Sequence, residues 1–202
     1  MISDLRPVAG LTALRTLVLT RTRVADLTPL SGLTGLRDLD LKLTRIADIA
    51  PLARLHQLRS LILSFTAVTD IEPLRNLLAL ESCYLTGTLV TDISPLSGLT
   101  ALERLDLGGT GIADIDALSG LRRLRSLELT GTKVTDLTPL ARLDNLAFLD
   151  IGDTAVADLR PLAGLTNLRR LDIRGTKATV LPDLPGCEII TASTVPRRRR
   201  TG

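Results

Sequence analysis

A unit of 22 residues recurs along this chain of 202 residues, and from residue 14 it runs on without insertion. In residues 124–145, LRSLELTGTKVTDLTPLARLDN, the side chains of Leu124, Leu127 and Leu129 follow the pattern L-x-x-L-x-L. This spacing predicts a short strand whose leucines point into a shared interior. One unit cannot bury these leucines by itself, so each unit has to stack on its neighbours. The repetition therefore predicts a solenoid.

Two further positions indicate how the chain leaves the strand and returns. Thr132 recurs in every unit, and its hydroxyl is suited to bond the backbone of the tight turn that leaves the sheet. Asp136 precedes the run LTPL, which predicts an N-cap residue followed by a proline in the first turn of a single helical turn. We interpret both the threonine ladder and the aspartate ladder as structural.

The repeat boundaries divide the chain into two parts. Residues 1–188 are predicted to form the solenoid, with a half repeat at 1–13 and repeats that start near residues 14, 36, 58, 80, 102, 124, 146 and 168. Residues 189–202 are predicted to supply a C-terminal edge strand and a basic tail, Arg197–Arg200. No capping segment precedes the half repeat, so an upstream domain, a partner or a second copy is expected to cover that end.

Composition separates the body of the chain from its tail. The formal net charge is +3, but the four tail arginines outweigh it, so that residues 1–196 sum to −1. Cys83 and Cys187 each replace a leucine of the pattern and are predicted to be buried thiols, about 20 Å apart by strand spacing and beyond disulfide reach. With no signal segment or membrane span evident, we expect a cytoplasmic protein.

The units resemble the 22-residue leucine-rich repeats of the bacterial internalin type, as in DISPLSGLTALERLDLGGT at residues 92–110. The resemblance covers about residues 2–187, although that family usually has asparagine where this chain has threonine. It implies an α/β-type repeat solenoid, a curved arc with a parallel β-sheet of about eight strands on the concave face. Short 3₁₀ turns would form the convex face, and the concave face would recognise protein.

A partner would bind at the outward-facing positions of the sheet, because the repeated residues are required for the fold. All three aromatic residues, Phe65, Tyr84 and Phe148, fall on such positions, with Leu43 and Ile62 beside Phe65. One interpretation is scattered surface hydrophobes, which are common. We favour a partner-contact patch, because the apolar residues cluster over three successive repeats and aromatic side chains often dominate binding.

The same face becomes acidic toward the C-terminus. Asp106, Glu128, Asp150 and Asp172 are predicted to stack in one column, with Arg104 and Arg170 partly offsetting their charge. This column is a candidate site for a basic peptide or surface. The alternatives are a cation site, which side chains in a line suit poorly, and a solvated face with local ion pairs.

Catalysis and nucleic-acid binding find no support in the sequence. His56, the one histidine, lies in a return turn where solvent exposure is expected, and no histidine is placed to activate Cys83. No metal or cofactor site is predicted. A column of arginines is interrupted by Glu81 and Glu103, whereas nucleic acid favours a continuous basic strip.

The pattern favours a non-enzymatic protein–protein recognition scaffold that binds a protein or peptide on its concave face. The uncovered N-terminal half repeat suggests a module of a larger intracellular bacterial protein. Two alternatives stay open. One is a structural protein that self-associates into a homo-oligomer through its N-terminal end, and the other is a secreted effector or adhesin that binds host proteins.

Overall fold

The computed structural model describes residues 1–191, in which three-residue strands alternate with three-residue 3₁₀ helices. The strands β1 to β9 are Thr16–Val18, Asp38–Asp40, Ser60–Ile62, Ser82–Tyr84, Arg104–Asp106, Ser126–Glu128, Phe148–Asp150, Arg170–Asp172 and Glu188–Ile190. The 3₁₀ helices η1 to η8 are Arg6–Val8, Thr28–Leu30, Ala50–Leu52, Glu72–Leu74, Ser94–Leu96, Asp116–Leu118, Thr138–Leu140 and Arg160–Leu162. The basic tail Arg197–Arg200 lies outside the described residues.

All nine strands form one open parallel sheet in chain order. From β1 to β8 each residue lies opposite its equivalent 22 positions later, as Leu105 does opposite Leu127. The predicted solenoid with a parallel sheet on one side and 3₁₀ turns on the other is confirmed. A ninth strand, β9, extends the sheet at its C-terminal edge and begins at Glu188.

The last repeat is shorter than the others. Arg170 lies opposite Glu188, 18 positions later, and no 3₁₀ helix follows β8 within the described residues. This shortening corrects one prediction from the sequence. Cys187 no longer falls at the leucine position of the repeat and is only partly buried, while Leu184 is buried. Cys83 is buried as predicted, and both thiols are free.

The core is a narrow column of leucine, isoleucine and valine between the sheet and the 3₁₀ turns. Leu124, Leu127 and Leu129 enter it from the strand side, and Leu140 and Leu143 enter from the turn side, all with 0% exposure. Each repeat packs on the next through strand against strand and turn against turn. No described helix is long and apolar enough to cross a membrane.

The aspartates were predicted to be the N-cap residues of the 3₁₀ helices, but each lies one position before the N-cap. The N-cap of η7 is Leu137, whose side chain cannot accept a hydrogen bond. Asp136 stands before it, and its Oδ1 accepts the backbone N–H of Thr138 at 2.8 Å. The same bond recurs from Asp4 to Asp158. These are Asx turns, which satisfy the first N–H of each short helix and set its entry direction.

The threonine ladder bonds the backbone of the turn that leaves the sheet, and it does so through carbonyl groups. The buried Thr110 hydroxyl donates to the carbonyl oxygen of Leu107 at 2.6 Å. Equivalent bonds run from Thr44 to Thr176. The first member differs, because the buried hydroxyl of Thr22 has no hydrogen-bond partner among the described residues. The ladder therefore offers a matched pair of sites with and without the bond.

Truncating a core leucine should strongly lower the free energy of unfolding. Leu127→Ala removes a side chain with 0% exposure from the middle of the stack, and we expect a loss of about 2–5 kcal/mol in the free energy of unfolding. Urea denaturation followed by circular dichroism measures it, with Ser126→Ala on the same strand as the control. A loss no larger than that of the control would contradict the assigned register.

Removing one rung of the threonine ladder should be measurable against its unbonded counterpart. Thr110→Val keeps the shape but loses the hydroxyl bond to Leu107, so we expect a cost of about 0.5–1.5 kcal/mol. Thr22→Val replaces a hydroxyl without a described partner and should be neutral or stabilising. Equal losses in both variants, measured by thermal melting, would argue against a structural role for the bond.

Candidate functional site

The outer face of the sheet is formed by the first and third residues of each strand, since the middle residue is buried. On β3, Leu61 is buried between Ser60 and Ile62, which are half-buried. Tyr84 ends β4 and Phe148 begins β7, so both lie on this face as predicted. Phe65 does not lie on a strand, because β3 ends three residues before it at Ile62. It lies in the turn that leaves the sheet.

This turn imposes a left-handed backbone at its second residue. Leu43 has a φ of 57° and Phe65 a φ of 59°, whereas glycine occupies the same place in four other repeats. Left-handed conformation costs an L-residue about 1–2 kcal/mol, and glycine avoids this cost. Leu43 and Phe65 were predicted as outward strand positions, so the structure corrects their location and adds backbone strain that the sequence did not reveal.

Four apolar residues, Leu43, Ile62, Phe65 and Tyr84, come from three successive repeats and are here called the apolar patch. Ile62 lies directly opposite Tyr84 in the sheet. The turn of Leu43 joins that of Phe65, since the Leu43 N–H donates to the Ser64 carbonyl at 3.0 Å. Leu43 is 39% exposed and Phe65 50% exposed, and Ile62 and Tyr84 are half-buried. The apolar patch is therefore accessible to solvent.

The Phe65 ring leans over the next repeat. A Cβ atom added to Gly87 would lie 2.7 Å from the ring, so only glycine leaves room for it. On its other side, the Lys42 ammonium lies 5.8 Å from the ring centroid, a cation–π distance. Phe148 is not part of the apolar patch, because it lies three strands beyond Tyr84 and stacks with Arg170, 5.7 Å from the ring centroid.

The acidic column is partly tied into the backbone. Asp106 accepts the Thr86 hydroxyl at 2.6 Å and the Gly108 N–H at 2.9 Å. Asp150 accepts the Thr130 hydroxyl at 2.5 Å and the Gly152 N–H at 2.7 Å. These two carboxylates are half-buried, and they also brace the turns. Sequence reasoning missed their threonine partners, although a Thr–Asp spacing of 20 residues recurs at Thr20 and Asp40.

Asp172 does not present its carboxylate to solvent. It is 3% exposed and is held by Arg174, whose Nε donates to it at 2.9 Å. Burial acts to raise the pKa of Asp172, but the hydrogen bonds from the Arg174 side chain and backbone outweigh it and hold the pKa below its ordinary value. Arg170 lowers it further. The accessible acidic column is therefore Asp106, Glu128 and Asp150.

Arg104 and Glu128 complete the face. Arg104 is exposed and approaches the Ser82 hydroxyl of the previous repeat at 3.5 Å, and no ion pair joins it to the column among the described residues. Glu128 lies between Asp106 and Asp150 in the sheet. Partial burial and the charges of both neighbours raise the pKa of Glu128 above its ordinary value. The column therefore carries unrelieved negative charge at Glu128.

The remaining reactive side chains have no catalytic arrangement. Burial, with a smaller contribution from Asp106, raises the pKa of the Cys83 thiol to about 12, so it stays protonated at neutral pH. His56 is exposed in its return turn as predicted. In residues 1–191 no three His, Cys, Asp or Glu side chains are grouped to hold a metal ion.

The raised pKa of Glu128 has a consequence for stability. A carboxyl with a raised folded-state pKa favours folding when protonated, and this contribution is lost as pH rises through that pKa. Glu128→Gln should therefore raise the melting temperature at pH 7, with a gain that shrinks as pH falls toward about 4, the ordinary range of glutamate. Thermal melts between these pH values test it.

A variant of opposite sign provides the control. Hydrogen bonds from Arg160 hold the pKa of Asp158 at about 2, so its ionised form favours folding. Asp158→Asn should lower the melting temperature at pH 7. A Glu128→Gln gain that is independent of pH would show that the charge environment is not its cause.

Comparisons with known proteins agree with this geometry. The sequence profile for "Leucine Rich repeats (2 copies)" matches residues 100–142, and no curated protein matches the chain. An internalin (inlF) structure from Listeria monocytogenes is 30% identical, with a TM-score of 0.87, and the match covers 93% of this chain and 59% of that one. An internalin C2 (inlC2) structure from the same species is 35% identical, with a TM-score of 0.82 and coverage of 83% and 74%.

A leucine-rich repeat protein of Leptospira interrogans, LIC12759, has the same fold at 22% identity, with a TM-score of 0.87 over 93% of this chain and 51% of that chain. Solenoids of this kind generally mediate protein–protein interactions. Since this chain is 35% identical to a solved internalin of which it spans 74%, it belongs to the internalin-type leucine-rich repeat family.

Proposed function

We propose that this chain is a non-enzymatic scaffold that recognises a protein partner through the apolar patch on its concave face. The observation that carries the proposal is the placement of Leu43 and Phe65. Both are exposed, and both occupy left-handed turn positions where other repeats use glycine. Backbone strain that the fold does not require is concentrated at functional sites.

Glycine at positions 43 and 65 would build the same turn without strain, as it does at Gly109 and Gly131. Leucine and phenylalanine add backbone strain and leave apolar surface in water, which glycine would not. Burial against a partner would recover the hydrophobic contribution of both side chains, and aromatic residues at such centres supply much of the binding energy.

Association through the N-terminal end is the second candidate. Leu11 is 50% exposed, and the strand leucines Leu14 and Leu17 are only partly buried, although their equivalents in later repeats are covered. Either a second copy of the chain or another part of a longer protein would cover this end. Sedimentation velocity at several concentrations tests self-association, and a strictly monomeric chain would exclude a homo-oligomer.

The domain context and cellular location of this chain are also part of the proposal. This chain spans 59% of the first internalin structure, which supports its being a module of a larger bacterial protein. Two free cysteines suit a reducing intracellular setting. The alternative setting is that of a secreted effector or adhesin that binds host proteins. Fractionation of the native cells separates the two settings.

Removing the apolar patch should abolish partner binding without unfolding the chain. We expect the double variant Phe65→Gly and Tyr84→Ala to lose the partner in affinity capture from native lysate. Its free energy of unfolding should stay within about 1 kcal/mol of wild type, because glycine relieves the left-handed strain at position 65 and offsets the lost contacts of a half-exposed ring.

The matched control removes two exposed leucines outside the concave face. Leu78 and Leu89 are each 61% exposed, and Leu78→Ala with Leu89→Ala should retain the partner. If the patch variant and the control capture the same proteins as wild type, the apolar patch is not the binding site.

A further inference from the structure

Beside the apolar patch, the turns of three successive repeats carry no side chain at their left-handed position. These residues, Gly87, Gly109 and Gly131, are here called the glycine track. A Cβ atom added to Gly109 would come within 4 Å only of the Gly87 backbone, and one added to Gly131 only of the Gly109 backbone. The space above the track is therefore open, except where the Phe65 ring covers Gly87.

The turn alone does not impose this bare surface. Arg21, Leu43, Phe65 and Asp153 adopt the same left-handed conformation in other repeats. The N–H groups of the track are used inside the sheet, as Gly109 donates to the Thr130 carbonyl at 2.7 Å. None of the three track carbonyls accepts a backbone hydrogen bond from the described residues. The bare turns leave room for a partner backbone to approach closely.

The charge beside the track is one-sided. In the repeats that begin at residues 102, 124 and 146, the outward strand and turn positions carry Asp106, Glu128, Asp150 and Asp153 against one cation, Arg104. The carboxylates of Asp106 and Asp150 already accept hydrogen bonds. Glu128 lies between them without a cation among the described ion pairs. A cationic side chain placed here would relieve this repulsion.

The glycine track runs parallel to the acidic column, because Gly109 and Gly131 follow Asp106 and Glu128 by three residues in their repeats. Tyr84 of the apolar patch and Glu128 are separated by two strand spacings, about 10 Å. An extended polyproline-type segment advances about 3.1 Å per residue and returns to the same side every third residue. One such step of three residues joins the apolar patch to the acidic column.

We propose that the concave face binds an extended protein segment in which a bulky apolar residue is followed or preceded, three residues away, by lysine or arginine. The apolar residue packs on the apolar patch, the segment backbone lies over the glycine track, and the cation pairs with Glu128 between Asp106 and Asp150. This inference rests on the proposed function and specifies the chemistry of its partner.

The test begins with a phage library of random twelve-residue peptides selected on the full chain, followed by fluorescence anisotropy with the enriched peptide synthesised with a fluorescein label. We expect enriched sequences with an aromatic or aliphatic residue three positions from lysine or arginine. Binding should weaken as sodium chloride increases, because salt screens exposed charge pairs. Enriched sequences without basic residues, or no enrichment at all, would overturn the inference.

Two variants address the charge and the track separately. Glu128→Lys should weaken the labelled peptide about tenfold by reversing the central charge. Gly109→Asn should weaken it by a similar factor, because asparagine tolerates the left-handed conformation but places a side chain on the track. The controls are Asp144→Lys, an exposed charge reversal in a return turn, and Gly186→Asn, where φ is also positive and the space is open. Both should bind as wild type does.

The variants also distinguish a failure of this inference from a failure of the proposed function. If Phe65→Gly with Tyr84→Ala abolishes peptide binding while Glu128→Lys and Gly109→Asn leave it unchanged, the apolar patch binds and the basic-segment inference is wrong. If none of the three variants alters binding, the concave face is not the site and the proposed function fails with it.

Discussion

Stacking between neighbouring repeats is the constraint on which the rest of this structure depends. A unit of 22 residues with a three-residue strand and a three-residue 3₁₀ helix encloses too little volume to cover its own leucines. Only contact with the units on both sides brings residues such as Leu127 and Leu140 to 0% exposure. Stability is therefore spread along the stack, and the outer surface of each repeat is free to vary without disturbing the core.

Close stacking also forces polar backbone groups into the interior, and two side-chain ladders satisfy them. The threonine hydroxyls donate to carbonyls after strands β2 to β8, and the aspartates accept the first N–H of each 3₁₀ helix. Both ladders repeat with the period of the chain, so each ladder requires one residue at a fixed position per unit, a threonine or an aspartate. Because they are anchored in the turns, the sheet face carries few structural obligations apart from the Thr–Asp braces at Asp106 and Asp150.

What distinguishes this solenoid from a plain stack is the turn that leaves the sheet. Its left-handed position carries Leu43 and Phe65 in early repeats and glycine in three successive later ones. The early repeats thus project apolar side chains at the edge of the sheet. The later repeats expose only backbone at this position, beside the acidic column. The Phe65 ring over Gly87 joins the two regions. This gradient along the stack gives the concave face an orientation that identical repeats would lack.

The sequence by itself determined the period, the core leucines and the parallel register from β1 to β8, because each depends on spacing within one repeat or between identical repeats. It also located Tyr84 and Phe148 on the sheet face. Only the tertiary structure decided the features that depend on backbone conformation or on contacts between particular side chains. Asp172 is buried because Arg174 closes over it, Cys187 is partly exposed because the last repeat is short, and the hydroxyls of Thr86 and Thr130 pair with carboxylates of the next repeat. The left-handed backbone at Phe65 belongs to the same group, since a strand pattern carries no information about the sign of φ in the turn that follows.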